Sequence, residues 1–342
     1  MSLSFNQQKL LNDLVKDEKK INNRLYSPGP YWDYKTKKIL YWLRKKGLKN
    51  FRGSNSGVGT SFTDSIILDI RNEVGFKGRI VSAMTRFPII KTIFDQQINL
   101  TSNYIQNYLK KQQIYLESNE KIKHLISKYK IDDSTEFGCL DKFKLGGKEY
   151  STKYLEMCER IDFIRKFLSL DNIHSFMEIG GGFGANVHIM LQNFKSLKKI
   201  FYVDIVPNLF VGTEYLKKFY KESIIDYTVT KSQKKITFKN DNKLEIICIP
   251  PWQIENIESK IESFHNSASF QEMSIEQVTN YKKLLDSRME KNLMSLIIYD
   301  GWEKNSTLSP TQINDIFKKK LIQREMPTFF NPKRSLISLT SI

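Results

Sequence analysis

A cluster of glycines in the middle of the chain most constrains how it can fold. The apolar stretch Ser175–Ile179 is followed by Gly180, Gly181, Gly182 and Gly184, and then by a segment with helical character. A tight turn from a strand into a helix needs positive φ, which glycine adopts at the least steric cost. Because glycine has no side chain, a ligand can also approach the backbone of such a turn closely. The cluster therefore predicts a nucleotide-binding loop between a buried strand and a helix.

The hydrophobic pattern changes near residue 172. Before it, residues 1 to about 170 have mostly helical apolar spacing, with helices expected at 6–23, 35–46, 99–130 and 154–168. After it, strand and helix patterns alternate, which predicts an α/β fold with a doubly wound, mostly parallel sheet over residues 171–342. The expected strands are Ser175–Ile179, Lys199–Asp204, Leu244–Ile249, Ser263–Asn266, Leu293–Tyr299 and Ser335–Leu339, and the expected helices between them are Asn186–Phe194, Asn208–Tyr220 and Ser274–Met289.

The acidic residue Glu178 discriminates between two nucleotide ligands. Gly180, Gly182 and Ala185 also satisfy the looser dinucleotide fingerprint, so an NAD-dependent enzyme is an alternative. A carboxylate two residues before the first glycine repels a pyrophosphate but attracts a sulfonium that carries an α-amino group. Glu178 therefore favours S-adenosylmethionine over NAD.

Two later strand ends supply further cofactor contacts. Asp204 lies 24 residues after Gly180, where a carboxylate can accept hydrogen bonds from ribose hydroxyls, and Ile205 follows it. The third strand ends at Ile249 and Pro250. The adenine ring is expected there, stacked on Trp252 or Ile249, although an ordinary loop with a packed tryptophan fits equally well.

The combined pattern resembles the sugar O-methyltransferases of bacterial surface-polysaccharide clusters, within the class I S-adenosylmethionine-dependent superfamily. The resemblance is carried by Met177–Gly184, Asp204–Asn208, Pro250–Trp252 and Asn266–Met273. It implies a Rossmann-like catalytic domain at 171–342, a helical cap or acceptor-binding region at 1–170, and methyl transfer to a sugar hydroxyl. Among the residues of the last motif, Asn266 is assigned to cofactor binding and Gln271 to substrate binding.

A sugar hydroxyl is a weak nucleophile, so a general base is expected near it. Glu272, on the exit from the fourth strand, is the first choice; a carboxylate in the first turn of a helix is its structural alternative. His265 has suitable chemistry near pH 7, but it can equally lie inside the strand. Asp300 ends the fifth strand and is the third candidate, with a turn-forming role as its alternative.

Three residues of the N-terminal region are candidates for holding the acceptor. Tyr31 and Trp32 could stack on a sugar face, and Arg52 could hold a phosphate or carboxylate. Simple packing of the cap explains all three equally well.

Composition limits the partners. The net charge of +17 comes from scattered lysines without an arginine-rich helix, so a solvated surface or an anionic substrate is favoured over nucleic acid. The three cysteines and isolated histidines have no metal-ligand spacing, and no metal is assigned. No apolar run is long enough to span a bilayer and the N-terminus lacks a signal core, so we expect a cytoplasmic enzyme acting on a nucleotide-linked or lipid-linked sugar. A nucleic acid acceptor, a non-catalytic scaffold and a homo-oligomer stay open.

Overall fold

A computed structural model describes residues 3–48, 51–52, 79–80, 83–132, 135–139, 142–299, 307–318, 320–329 and 335–341. Its strands are β1 Phe143–Leu145, β2 Lys148–Tyr150, β3 Ser175–Ile179, β4 Lys199–Val203, β5 Ile224–Ile225, β6 Glu245–Ile249, β7 Ile261–Ser267, β8 Met289–Tyr299, β9 Leu321–Pro327 and β10 Ser335–Ser341. Its α-helices are α1 Phe5–Glu18, α2 Pro30–Lys46, α3 Pro88–Ser118, α4 Glu120–Lys128, α5 Thr152–Ile164, α6 Ala185–Asn193, α7 Val206–Tyr220, α8 Tyr227–Thr230, α9 Ile275–Arg288 and α10 Pro310–Ile316.

In the described part of the chain, eight strands form one sheet in the order β5-β6-β4-β3-β7-β8-β10-β9. The first six in this order run parallel to one another, and β10 is antiparallel to both β8 and β9. The central strand β3 is buried along its whole length, as expected for a parallel strand covered on both faces. The fold is therefore the Rossmann-like, mostly parallel α/β fold that the alternating pattern predicts.

The strand order places a ligand site at the end of β3. After β3 the chain continues to β4 and β6 on one side of it, then returns to β7 and β8 on the other. Such a reversal leaves a crevice at the carboxyl ends of the strands, which is where open α/β sheets bind ligands. The glycine cluster lies at this crevice because it follows β3 directly.

The described chain divides into two compact units. One contains Tyr34–Lys128 and Asp132–Leu155, and the other contains Ser4–Asp33 and Glu156–Ile342. The first helix therefore groups with the sheet rather than with the other N-terminal helices. The reason is local packing, since α1 contacts α7 and its Gln7 side chain donates to Glu214 at 2.7 Å. A division of roles between residues 1–170 and 171–342 stays a prediction.

One apolar cluster of the sheet unit lies on one face of the central strands, and the opposite face is buried as well. Met177, Phe201, Ile247, Phe264 and Met294 all belong to this cluster. The β1–β2 hairpin belongs to the other unit, and its turn contains Gly146 and Gly147. None of the helices in the described ranges has the length and hydropathy of a membrane-spanning segment.

Candidate cofactor and acceptor site

The glycine loop has the backbone conformation that its sequence predicts. Gly180 and Gly182 have φ of +76° and +62°, which favour glycine. A side chain at Gly180 would also overlap the Ser269 hydroxyl. Gly184 caps α6 with φ of +86°, so the loop leads directly into the amino end of that helix. Bare backbone at a helix N-terminus can approach a ligand closely.

Glu178 lies buried beneath this loop. The Asn186 side chain donates to its Oε1 at 2.7 Å, whereas its Oε2 is buried and has no hydrogen-bond partner. Burial raises the pKa of the Glu178 carboxyl to about 8, and the charge of Asp204 adds to the effect. A positively charged ligand would supply the counter-charge that the buried Glu178 carboxylate lacks. The orphaned oxygen therefore fits the sulfonium and amino groups of S-adenosylmethionine better than a pyrophosphate.

Asp204 holds the loop against the end of β4. Its Oδ2 accepts from the Gly182 amide and its Oδ1 from the Ile205 amide, both at 2.7 Å. Burial raises the pKa of the Asp204 carboxyl to about 7 although these hydrogen bonds oppose the rise. Each carboxylate oxygen has a second lone pair, so a ribose diol remains compatible with these contacts.

The end of β6 contributes Pro250 and Trp252. Pro250 precedes a short 3₁₀ helix, Pro251–Asn256, that contains Trp252. The indole packs edge-on to the Tyr227 ring, with centroids 6.0 Å apart, and is only partly buried. The structure thus places Trp252 beside the strand that adjoins β4, where a role in adenine binding stays a prediction.

Asn266 closes the gap between the glycine loop and the exit from β7. Its Nδ2 donates to the Ile179 carbonyl at 2.8 Å and to the Ser269 hydroxyl at 2.5 Å, and its Oδ1 accepts from the Phe270 amide. These contacts fix the open edge of the sheet between the glycine loop and the exit from β7, which we call the mouth. They support a positioning role for Asn266. Ser269 has the same role, and only its membership in a polar run signalled it in the sequence.

Two residues predicted for different roles meet at the mouth. Glu272 and Trp32 are both buried, and the indole Nε1 donates to Glu272 Oε2 at 2.8 Å. The charge of Glu272 contributes to the raised pKa of Asp204, so the two carboxyls lie near one another. The Glu272 carboxyl is therefore held in place by a donor from the start of α2.

The structure places His265 where it is unsuited to be the general base. Its ring is buried within the sheet, with Nδ1 at 2.8 Å from the Ser295 hydroxyl. Burial, together with the positive charge of Arg160, lowers the pKa of His265 to about 3. The ring is therefore neutral near pH 7 and enclosed within the sheet.

Gln271 and Arg52 make backbone contacts where substrate contacts were expected. Gln271 Oε1 accepts from the Tyr299 amide at 2.8 Å, which ties the exit loop to β8. Arg52 is fully buried in the other unit, and its Nε donates to the Phe137 carbonyl at 3.2 Å. A role of either side chain in substrate binding stays a prediction. Asp300 and the side chain of Tyr31 lie outside the described residues.

Within the described ranges, no cluster of three or more His, Cys, Asp or Glu side chains is arranged to hold a metal ion. The three cysteines are buried and unbonded to one another.

Among known proteins, similarity to this chain is found in solved structures and not in sequence. No protein-family model matches the sequence, and no curated protein matches it. Among solved structures, the chain is similar to magnesium protoporphyrin IX methyltransferase from Synechocystis PCC 6803 with bound SAM, at 9% identity and a TM-score of 0.38, over 68% of this chain and 97% of that one.

Two further similar structures align with a smaller part of this chain. The mitomycin 7-O-methyltransferase matches at 11% identity and a TM-score of 0.37, over 55% of this chain and 54% of its own length. Phosphoethanolamine N-methyltransferase 2 of Haemonchus contortus, in complex with S-adenosylhomocysteine, matches at 11% identity and a TM-score of 0.36, over 54% of this chain. The chain spans 52% of that enzyme. We therefore base the fold on the strand order of the sheet itself.

Proposed function

We propose that this chain is an S-adenosylmethionine-dependent O-methyltransferase that acts on a sugar hydroxyl. One observation carries the cofactor assignment: a buried carboxylate with an orphaned oxygen, Glu178, lies directly beneath a glycine loop at the sheet's ligand crevice. The resemblance of Met177–Gly184 and Asn266–Met273 to sugar O-methyltransferases supports the sugar acceptor.

The proposed acceptor is a nucleotide-linked or lipid-linked sugar, and the proposed place is the cytoplasmic stage of surface-polysaccharide synthesis. The positive net charge suits an anionic acceptor of this kind. The N-terminal region at 1–170 is proposed to form the acceptor side of the enzyme.

The residues of this chain would divide the chemistry between them. Bound S-adenosylmethionine supplies an electrophilic methyl group on sulfur. Glu178, Asp204 and the glycine loop would orient it, while the mouth residues exclude water. Glu272 would accept the proton of the attacking hydroxyl as the new O–C bond forms and the S–C bond breaks. The Trp32 indole would keep the Glu272 carboxylate aimed at the mouth.

The test is methyl transfer to a panel of nucleotide sugars, measured as release of S-adenosylhomocysteine. Glu272→Gln is expected to lower turnover by about 10²–10⁴-fold, the usual contribution of a general base, with cofactor affinity nearly unchanged. The matched control is Glu276→Gln, an exposed acid in the first turn of α9. Equal turnover of Glu272→Gln and wild type would remove Glu272 from the mechanism.

A further inference from the structure

An arginine that the sequence did not single out lies beneath the ends of two strands. Arg160, on α5, is 3% exposed. Its Nη1 donates to the Ser267 hydroxyl and its Nη2 to the Tyr299 hydroxyl, both at 2.6 Å. Ser267 is the last residue of β7 and Tyr299 the last residue of β8. The guanidinium therefore supports the carboxyl edge of the sheet, where this fold binds ligands.

The direct partners of this guanidinium are the two hydroxyls and the Met157 sulfur, and its Nε is buried without a hydrogen-bond partner. The nearby charges of Glu156 and Glu159 raise the pKa of Arg160 against the effect of its burial. Its sequence neighbour Glu159 is engaged elsewhere, accepting from the Thr328 hydroxyl and the Phe329 amide at 2.8 Å each. An arginine cannot shed its proton, and here its direct oxygen partners are neutral hydroxyls. An anionic ligand at this edge would add a direct counter-charge.

The two hydroxyls connect the buried guanidinium to the surface and are polarised by its charge. Ser267 and Tyr299 are only partly buried, unlike Arg160. Because the Ser267 oxygen accepts from Arg160, its own hydrogen can be donated to a ligand at the open edge. A hydroxyl polarised by a buried cation is a strong donor to an anion.

We infer that Arg160, Ser267 and Tyr299 form a binding site for the anionic group of the acceptor, a phosphate or a carboxylate. The inference rests on the proposed function and names the acceptor's charge. The strand order separates this site from the cofactor loop: β7 adjoins β3, and β8 is the next strand out. At about 4.8 Å per strand, the end of β8 is roughly 10 Å from the end of β3, which leaves room for a sugar ring between them.

The experiment titrates the full chain, without cofactor, with glucose 1-phosphate, glucuronate, inorganic phosphate and glucose, at 150 mM salt, by calorimetry. Wild type is expected to bind a charged probe at least about 10-fold more tightly than glucose. A preference for glucose 1-phosphate or for glucuronate would tell phosphate from carboxylate. Arg160→Gln should lose that binding by at least about 10-fold. Arg165→Gln is the matched control, because Arg165 already pairs with Asp171 at 2.6 Å.

A separate titration with S-adenosylhomocysteine keeps the two proposals distinguishable. If wild type binds the charged probe but does not bind S-adenosylhomocysteine, the proposed function is wrong and the anion site stands. Equal probe affinity in Arg160→Gln and wild type, or no charged probe bound by wild type, would overturn the anion site. If Arg160→Gln does not fold, the double change Ser267→Ala and Tyr299→Phe, which keeps the arginine, must weaken the same probe.

Discussion

The two halves of the sheet's open edge differ in charge. After β3 and β4 the buried charged groups are the carboxyls of Glu178 and Asp204. The half formed by β7 and β8 contains a buried guanidinium, that of Arg160, besides the Glu272 carboxyl on the exit from β7. Burying charge without a partner is unfavourable, so each half is suited to a ligand of the opposite sign. The contrast is the basis of the proposal that a cationic cofactor binds over β3 and β4 and an anionic acceptor over β7 and β8.

A second contrast concerns two neighbours on the sheet. Glu178 and His265 are paired in register on adjacent strands, and burial shifts the pKa of each toward its neutral form. The difference lies in what surrounds them. Glu178 lies directly under Gly181, within reach of a loop-bound ligand, whereas His265 contacts the Ser295 hydroxyl inside the sheet. Position relative to the loop, rather than titration alone, decides which group can act on a ligand.

The largest expected effect is a loss of cofactor affinity caused by a change in the glycine loop, in the carboxylate half of the edge. Gly180→Ala should weaken S-adenosylhomocysteine binding by roughly 100-fold, or about 3 kcal/mol, because φ is +76° and the new methyl would overlap Ser269. Calorimetric titration measures this loss. Gly147→Ala is the matched control: it has φ of +82° with open space around it. If both variants bind equally well, the close approach at Gly180 does not shape the site.

A smaller effect sharpens the role of charge in the same half. Ionised Glu178 is the form that attracts a cation, and its pKa is about 8 in the ligand-free protein. S-adenosylmethionine affinity should therefore rise with pH up to about 8, by at most about 10-fold per pH unit for one proton released. Titration from pH 6.5 to 8.5 measures this slope. Glu178→Gln should bind about 10-fold more weakly at pH 8.

Asp204 provides the internal check on that slope. Its pKa of about 7 gives the variant a residual pH dependence centred lower than that of wild type. An unchanged profile in Glu178→Gln would show that Glu178 does not sense the cofactor charge.

The smallest expected effect concerns the donor to the base. Trp32→Phe keeps an aromatic ring but removes the hydrogen bond to Glu272, so turnover should fall by about 3- to 10-fold, a loss of about 1 kcal/mol, with unchanged S-adenosylhomocysteine affinity. Trp252→Phe, at the end of β6, should instead change cofactor affinity. The reverse pattern would exchange the roles assigned to the two tryptophans.

Local spacing made one half of the edge predictable and not the other. The glycine loop, Glu178 and Asp204 are recognisable because a strand end, a turn and an acid follow one another at fixed distances in sequence. Arg160 meets Ser267 and Tyr299 across 107 and 139 residues, so no sequence window contains the site. A single arginine on a helix gives no signal of its own.

The same limit explains the missed strands. The sequence predicted the central strands, but β9 was missed because only Leu321 and Met326 within it are buried. The two-residue β5 and the three-residue strands β1 and β2 are too short to show a period. His265 looked equally suited to catalysis and to packing, because the face of a strand residue relative to the open edge depends on its neighbours.

The most direct measurement is calorimetric titration of the purified protein with S-adenosylhomocysteine, with NAD as the control ligand. The account predicts micromolar binding of S-adenosylhomocysteine, about −8 kcal/mol, and no binding of NAD. Tight binding of NAD, or no binding of either ligand, would contradict the assignment of Glu178 and the glycine loop to S-adenosylmethionine.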